Sequence, residues 1–307
     1  MWKSALIAAL LAVSSPAWGA AYDDAFAAYR RDDFATALKL LKPLAVAGDA
    51  RAQYNVGAMY NNALGVPTDH VEAARWFKLA AAKGNPYAQI DLAVLYETGQ
   101  GVTADPAEAM RLYRLAAAQN NTAAQQGIGA LYERGLGVAK DYAEAMKWYR
   151  QAADQGSADA QYDVARLYAG GLGVAQDFAQ AAAWYRKAAD QENVSAQLNL
   201  GALYYGGQGV AADTAEAMKW FRLAAQQGSG SAQFNLATVY AEGDGVPQNL
   251  PRALVWYSAA ATTLTGPGAK TAADTAANLA ALMTPEQRAQ AKAVAAQCVA
   301  GDYKGCD

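Results

Sequence analysis

The dipeptide Ala-Gln recurs in this chain at a constant spacing of 36 residues, and this period limits the fold more than any other feature. It begins at residues 52, 88, 124, 160, 196 and 232. A fixed period between about 20 and 50 residues is typical of repeat proteins in which each copy packs on its neighbours. The sequence therefore predicts six copies of one unit over residues 52–261, in unbroken register.

One copy, residues 124–159, shows how the unit is built. Its first part places apolar residues at the i, i+4 and i+7 spacing of one helical face, at Ala124, Ile128 and Leu131. Gly135 and Gly137 follow, and glycine ends helices because it adopts left-handed backbone conformations at little cost. A second amphipathic run comes next, so the unit is a helix–turn–helix.

An Asp-x-x-Glu or Asp-x-x-Gln pattern precedes the second helix of five copies, and it predicts a capping box. The pairs are Asp69/Glu72, Asp105/Glu108, Asp141/Glu144, Asp177/Gln180 and Asp213/Glu216. A general acid and base is the alternative interpretation of two carboxyl groups. Their recurrence once per copy, always at the same helix start, favours caps.

The shared pattern of the copies closely resembles the Sel-one-like repeat (SLR) family, a relative of tetratricopeptide repeats. Each copy has Ala, an aliphatic residue four positions on, Tyr after eight, a Gly-x-Gly-Val turn in which Ala63 replaces the first glycine of copy one, Asp or Asn at the second helix, and in most copies Trp followed by Tyr or Phe. The resemblance implies an all-α fold, a right-handed α-α superhelix (solenoid) of helix–turn–helix repeats. It also implies an interaction scaffold whose concave surface holds partner proteins.

The remaining segments complete the domain organisation. Residues 1–20 have a basic start, a short apolar run and small residues, which predicts a secretory signal peptide without a lipid-attachment cysteine. Residues 21–51 are predicted to be a divergent capping repeat. Residues 262–307 are predicted to form capping helices with a disulfide tail. The expected location is periplasmic or secreted.

Composition argues against some partners. The net charge is −3 and no basic block is present, so nucleic acid and anionic lipid surfaces are not expected partners. No apolar stretch after the leader is long enough for a membrane helix, so stable membrane insertion is not expected either. The sequence leaves the oligomeric state undetermined.

The residues needed for catalysis are sparse. His70 is the only histidine and lies in a variable loop column, so no Ser/His/Asp or Cys/His set is predicted, and neither a cofactor nor a metal is expected. Cys298 and Cys306 are the only cysteines and are predicted to form a disulfide in an oxidising compartment. A metal or redox pair is the alternative, which their spacing does not favour. The repeated tryptophans resemble a sugar-stacking series, but their place on the apolar stripe favours core packing.

Residues of the first helices that the repeated pattern leaves unspecified are the candidates for partner binding. By resemblance to tetratricopeptide geometry they line the concave groove, and Tyr and Arg are enriched at binding hot spots. The candidates are Tyr54, Tyr87, Ile90, Glu97, Glu133, Arg134, Tyr162, Arg166, Leu198, Tyr205, Phe234 and Glu242. Packing between copies is an equal alternative for four of them, namely Tyr54, Ile90, Leu198 and Phe234. The groove is favoured for Tyr162, Arg166 and Tyr205.

Three functional hypotheses follow. The first is an exported, non-enzymatic scaffold that binds a protein or peptide in its groove, with roles in envelope signalling, polysaccharide export or host contact implied by the resemblance. The second is an enzyme that acts on cell-wall glycan or hydrolyses β-lactams, an activity associated with relatives whose regularly paired cysteines this chain lacks. The third is a passive structural spacer.

Overall fold

The computed structural model describes residues 19–300 and Tyr303, and within them the chain forms sixteen α-helices and no strand. The predicted all-α solenoid is confirmed. The helices are α1 Gly19–Arg30, α2 Phe34–Val46, α3 Ala50–Asn61, α4 His70–Ala82, α5 Pro86–Thr98, α6 Pro106–Ala117, α7 Thr122–Arg134, α8 Tyr142–Asp154, α9 Ala158–Gly170, α10 Phe178–Ala189, α11 Val194–Gly206, α12 Thr214–Gln226, α13 Gly230–Glu242, α14 Leu250–Thr263, α15 Gly266–Leu282 and α16 Pro285–Ala300.

The chain divides into two compact units, Met1–Gln155 and Gly156–Asp307. Within the first unit, each helix from α1 to α8 packs against the next one along the chain. Within the second unit, the same holds from α9 to α15, and α16 returns to pack against α14. The two helices that follow the last copy therefore share one support, the second helix of that copy.

The second helix begins with the predicted Asp cap in the five copies that carry the pattern, but at Asp69 and Asp213 only half of the predicted capping box forms. The side chain of Asp69 accepts a hydrogen bond from the backbone N–H of Glu72, and Asp213 does the same for Glu216. The Glu side chains do not cap in return, because the backbone N–H of each Asp already donates to the carbonyl of Tyr60 or Tyr204.

These two Glu side chains, which do not cap, accept hydrogen bonds from indole N–H groups instead. Trp76 Nε1 donates to Glu72 Oε1 over 2.8 Å, and Trp220 Nε1 donates to Glu216 Oε1 over 2.9 Å. The expected reciprocal box does form further on, where Thr284 and Gln287 exchange side-chain and backbone hydrogen bonds at the start of α16. In these two copies the acidic residue three positions after the cap thus positions a core tryptophan.

A second set of caps escaped the sequence analysis. The first helix of every copy also begins with a side chain that accepts from the backbone two or three residues on. These caps are Asp49, Asn85, Asn121, Ser157, Asn193 and Ser229. The signal was present in the sequence, because all six are preferred N-cap residue types.

The turns between helices require left-handed backbone, and four of them use residues other than glycine, namely Asp32 between α1 and α2 and one residue in each of three copies. Ala63, Asn120 and Glu192 have φ angles of 55°, 61° and 65°, at positions where most other copies have glycine. A residue with a Cβ atom is strained in this conformation by about 1–2 kcal/mol, although asparagine tolerates it better. The repeat therefore retains its turn at a local cost in stability.

Repeated glutamines join neighbouring copies inside the core. The Gln of each Ala-Gln dipeptide is buried, and we call the six side chains Gln53, Gln89, Gln125, Gln161, Gln197 and Gln233 the glutamine ladder. Four of them, Gln53, Gln89, Gln197 and Gln233, donate over 3.1–3.3 Å to the carbonyl eight residues earlier, at the end of the preceding second helix. Each of these four copies is thereby hydrogen-bonded to the helix pair before it.

The side-chain Oε1 atoms of the glutamine ladder also accept hydrogen bonds, with one exception. Thirty residues after each ladder member, a side chain donates to its Oε1 atom over 2.8–3.1 Å. The donors are Gln119, Gln155, Gln191, Gln227 and Thr263. The first copy departs from this rule, because Lys83 stands at the donor position and Gln53 Oε1 has no hydrogen-bond partner among the described residues.

Candidate functional site

The predicted groove residues are spread along the first helices and differ widely in exposure. Tyr54 is in the core with an exposed fraction of 3%, where its ring lies 5.8 Å from the rings of both Phe77 and Tyr87. Arg134 and Glu242 are exposed. Nine residues are partly buried, namely Tyr87, Ile90, Glu97, Glu133, Tyr162, Arg166, Leu198, Tyr205 and Phe234. We refer to these twelve residues as the first-helix strip.

Several strip residues are held by hydrogen bonds to tyrosines. In the first unit, Tyr113 donates to Glu97 over 3.4 Å, and Arg134 forms an ion pair with the same carboxylate. Tyr149 donates to Glu133 over 2.9 Å. These contacts restrict the conformations of the two carboxylate side chains.

The second unit repeats this arrangement with other residues. Tyr205 donates to Glu242 over 3.1 Å, and burial together with this carboxylate raises the pKa of Tyr205 to about 12. Arg166 lies 3.6 Å from Asp163, and the ring of Tyr162 lies 5.8 Å from that of Tyr185. The strip therefore presents tyrosine rings and paired charges on positions that the repeat does not fix.

A buried polar cluster lies beside the strip in the first two copies. Tyr54 donates its hydroxyl proton to the Asp91 carboxylate, and burial raises the pKa of Asp91 to about 7. Asn55, one residue after Tyr54, has an exposed fraction of 0%, and neither of its side-chain polar atoms has a hydrogen-bond partner in the described part of the chain. Sequence reasoning missed both residues because their column contains Asn, Asp and Gly in different copies.

The tryptophans of the copies pack into the core, as the core interpretation expects. Trp76, Trp184, Trp220 and Trp256 are buried, and Trp148 is partly buried. Trp220 shows the full surroundings of such a ring, with Arg186 and Lys219 at 5.1 and 5.0 Å from its centroid and Glu216 on its N–H group. In the described part of the chain these five indoles form no exposed ring series.

The other candidate sites give little support for chemistry. Between residues 19 and 300, no group of three or more His, Cys, Asp or Glu side chains is arranged to hold a metal ion. His70 is the first residue of α4, and its Nδ1 atom lies 2.9 Å from Oδ1 of Asn61, the last residue of α3. Cys298 is buried with an exposed fraction of 1%, whereas Cys306 lies outside the described residues, so their disulfide stays a prediction.

The predicted leader also lies largely outside the described residues, which begin at Gly19, and it too stays a prediction. Across the described helices, none combines the length and apolar character needed to cross a membrane. The arrangement of helix pairs, fixed core columns and a variable strip defines the class of protein. It is a helical-repeat scaffold of the kind that binds other proteins.

Comparison with known proteins identifies the family. The Sel1 repeat model matches six consecutive segments, at residues 50–85, 86–121, 122–157, 158–193, 194–229 and 230–262. The chain therefore belongs to the Sel1 repeat family, whose fold serves protein interaction. The resemblance to Sel-one-like repeats is confirmed, with copies that begin two residues before each Ala-Gln dipeptide.

Two solved structures are similar to this chain. A Sel1 repeat protein from Oxalobacter formigenes is 32% identical with a TM-score of 0.74, over 79% of this chain and 99% of that one. A protective antigen with an SLR fold, present in uropathogenic Escherichia coli strains, is 31% identical with a TM-score of 0.57, over 89% of this chain and 69% of that one. No curated protein matches the sequence significantly.

Proposed function

We propose that this protein is an exported scaffold that binds a protein or peptide partner along its first-helix strip. The observation that carries the proposal is the strip itself, where tyrosines, Arg134 and carboxylates occupy positions free of the repeat pattern. Rigid aromatic and charged groups of this kind dominate the energy of protein interfaces. Export rests on the predicted leader at residues 1–20.

The pathway in which the scaffold acts is proposed more broadly. Envelope signalling, polysaccharide export and host contact are each compatible with an exported Sel1 scaffold. The similar antigen of uropathogenic Escherichia coli is described as protective, which is a property of that protein. Partner identification is what separates the three roles.

The test is affinity purification of the tagged full-length chain from gently crosslinked envelopes, beside a Tyr162→Ala/Arg166→Glu variant. A partner that is recovered with the natural chain and lost with the variant supports the strip. Full retention of that partner by a variant with native circular dichroism contradicts it.

The matched control for this test is Ala183→Lys. Ala183 is exposed on α10, at a position where other copies have Arg75, Arg111, Lys147 and Lys219, so the repeat accepts a cation there. This control should retain the partner, which shows that an altered surface charge alone does not release it.

The enzyme alternative has a direct test of its own. Purified full-length protein should leave both peptidoglycan and a chromogenic β-lactam intact. Hydrolysis of either substrate above the rate of a buffer control would contradict a purely non-enzymatic scaffold.

A further inference from the structure

The second copy contains a pocket where other copies have an indole ring. Leu112 stands at the position of Trp76, Trp148, Trp184, Trp220 and Trp256. A pocket of about 650 Å³ opens there, lined by the last turns of α4 and by α5 and α6. Its volume lies within the range of small-molecule sites, roughly 300–1,000 Å³.

The pocket walls match the groups that surround a tryptophan in the fifth copy. Trp220 has Arg186 and Lys219 over its ring and Glu216 as the acceptor of its N–H group, and Arg186 also donates to Tyr204. The pocket is lined by the residues three periods before these four, which are Lys78 in the first copy and Tyr96, Glu108 and Arg111 in the second. The walls of an indole site are therefore present without the indole.

Leucine does not fill this site. Leu112 is itself buried, with an exposed fraction of 2%, and forms part of the pocket lining. Glu108, which has no indole to bind, instead forms two hydrogen bonds of 2.7 Å with Arg111. A space left empty between walls of this composition is a preformed site into which an aromatic ring fits.

The mouth of the pocket has the character of an interaction site. Leu115 lines the pocket and is 42% exposed, one of the few large apolar side chains on the surface among the described residues. Leu79, at the same position in the preceding copy, is also exposed. No residue of the first-helix strip lines this pocket, so the site is separate from the function proposed above.

We propose that this pocket binds the side chain of a tryptophan presented by a partner polypeptide. The indole ring would stack beneath Lys78 and Arg111, and its N–H group would donate to Glu108, as Trp220 does to Glu216. Cations that face an indole ring add to its burial, and tryptophan is among the residues most enriched at the centres of protein interfaces. The pocket volume exceeds that of one indole, which leaves room for the backbone that carries it.

Binding of N-acetyl-tryptophanamide to the full-length protein is the direct test, measured by titration calorimetry and by saturation-transfer NMR. We expect one site per chain. Its 1-methylindole analogue, which lacks the N–H donor, should bind at least fivefold more weakly, and N-acetyl-leucinamide should not bind measurably. Absence of binding at millimolar N-acetyl-tryptophanamide would overturn the proposal. Binding of free indole without binding of N-acetyl-tryptophanamide would overturn the assignment to a polypeptide.

Two variants locate the site. Leu112→Trp should fill the pocket and weaken binding at least tenfold while the helical circular dichroism stays native. Trp220→Leu should open a second pocket of the same composition and raise the stoichiometry from one to two. Unchanged affinity in a folded Leu112→Trp protein would refute the pocket as the binding site. If Leu112→Trp does not fold, Glu108→Gln takes its place. Equal affinity of the natural protein for the N–H and N-methyl probes contradicts the proposed orientation of the indole ring.

Discussion

The exception in the glutamine ladder leads to a prediction about stability. Replacing Lys83 by Gln should stabilise the chain, because Gln53 Oε1 is buried without a partner among the described residues and four of the five donors at this position in the other copies are glutamines. In the next copy, Gln119 donates both to Gln89 Oε1 over 3.1 Å and to the Gly84 carbonyl over 3.0 Å. Lys83 contacts only the carbonyl of the matching residue, Gly48.

The expected size follows from the group that is satisfied. A buried acceptor without a hydrogen bond costs about 1–3 kcal/mol, and the existing contact with Gly48 is reproduced by the new amide. We therefore expect Lys83→Gln to raise the free energy of unfolding by about 1–2 kcal/mol. Urea denaturation at about 25 °C, followed by the helical circular dichroism signal, measures this change in the free energy of unfolding. We expect the denaturation midpoint to shift at unchanged slope.

Two further variants separate the hydrogen bond from the loss of charge. Lys83→Met removes the same charge without supplying an amide donor, so it should not stabilise the chain. Gln119→Lys introduces the defect of the first copy into the second and should destabilise the chain by a similar amount. If Lys83→Gln is no more stable than Lys83→Met, the unpaired oxygen of Gln53 does not limit stability and the reasoning is wrong.

Three other predictions concern single positions. Glu192→Gly should stabilise the chain by about 1 kcal/mol in urea denaturation, because Glu192 has a φ angle of 65°; an equal gain from Glu192→Ala would contradict the backbone explanation. Burial raises the pKa of Asp91 to about 7, against about 3.9 in the unfolded chain, so the folded chain holds the Asp91 proton more tightly than the unfolded chain does. The free energy of unfolding that this proton adds is present at pH 4 and is lost as the pH rises to 7. Asp91→Asn should flatten that part of the stability profile, by up to about 4 kcal/mol, and an unchanged profile would refute the assignment. Trp256 Nε1 is buried without a partner in the described structure, and Arg252 replaces the acidic residue that binds the indole elsewhere. Arg252→Glu should therefore raise the free energy of unfolding by about 1 kcal/mol, whereas Arg252→Ala should not raise it.

The sequence alone was enough to predict the helix pairs, because the 36-residue period repeats every local signal six times. Caps such as Asp69 and turn glycines such as Gly135 act on backbone only a few residues away, so a short stretch of sequence is enough to identify them. The role of Glu72 was missed for the opposite reason. The backbone N–H of Asp69, which Glu72 was expected to cap, donates instead to the carbonyl of Tyr60, nine residues before Asp69. This competing hydrogen bond forms only when the turn closes, and Glu72 accepts from Trp76 instead.

The candidate site was less accessible to sequence reasoning. Helical periodicity places Tyr54 on the face beside the core columns, but it does not show that Phe77 and Tyr87 cover its ring. The replacement of tryptophan by Leu112 was visible in the sequence as a departure from the pattern. Its result, a pocket with intact polar walls, depends on side chains from three helices and required the coordinates.

The glutamine ladder also bears on how such a chain can change in length over evolution. Its side chains bind partners eight residues before and thirty residues after themselves, so the contacts depend only on the period. A duplication or deletion of one whole period, at any phase, replaces each lost partner by an equivalent one. Unequal recombination between copies can therefore lengthen or shorten the array without leaving an amide unpaired in the core, whereas an insertion of one residue within a copy disrupts the ladder at once.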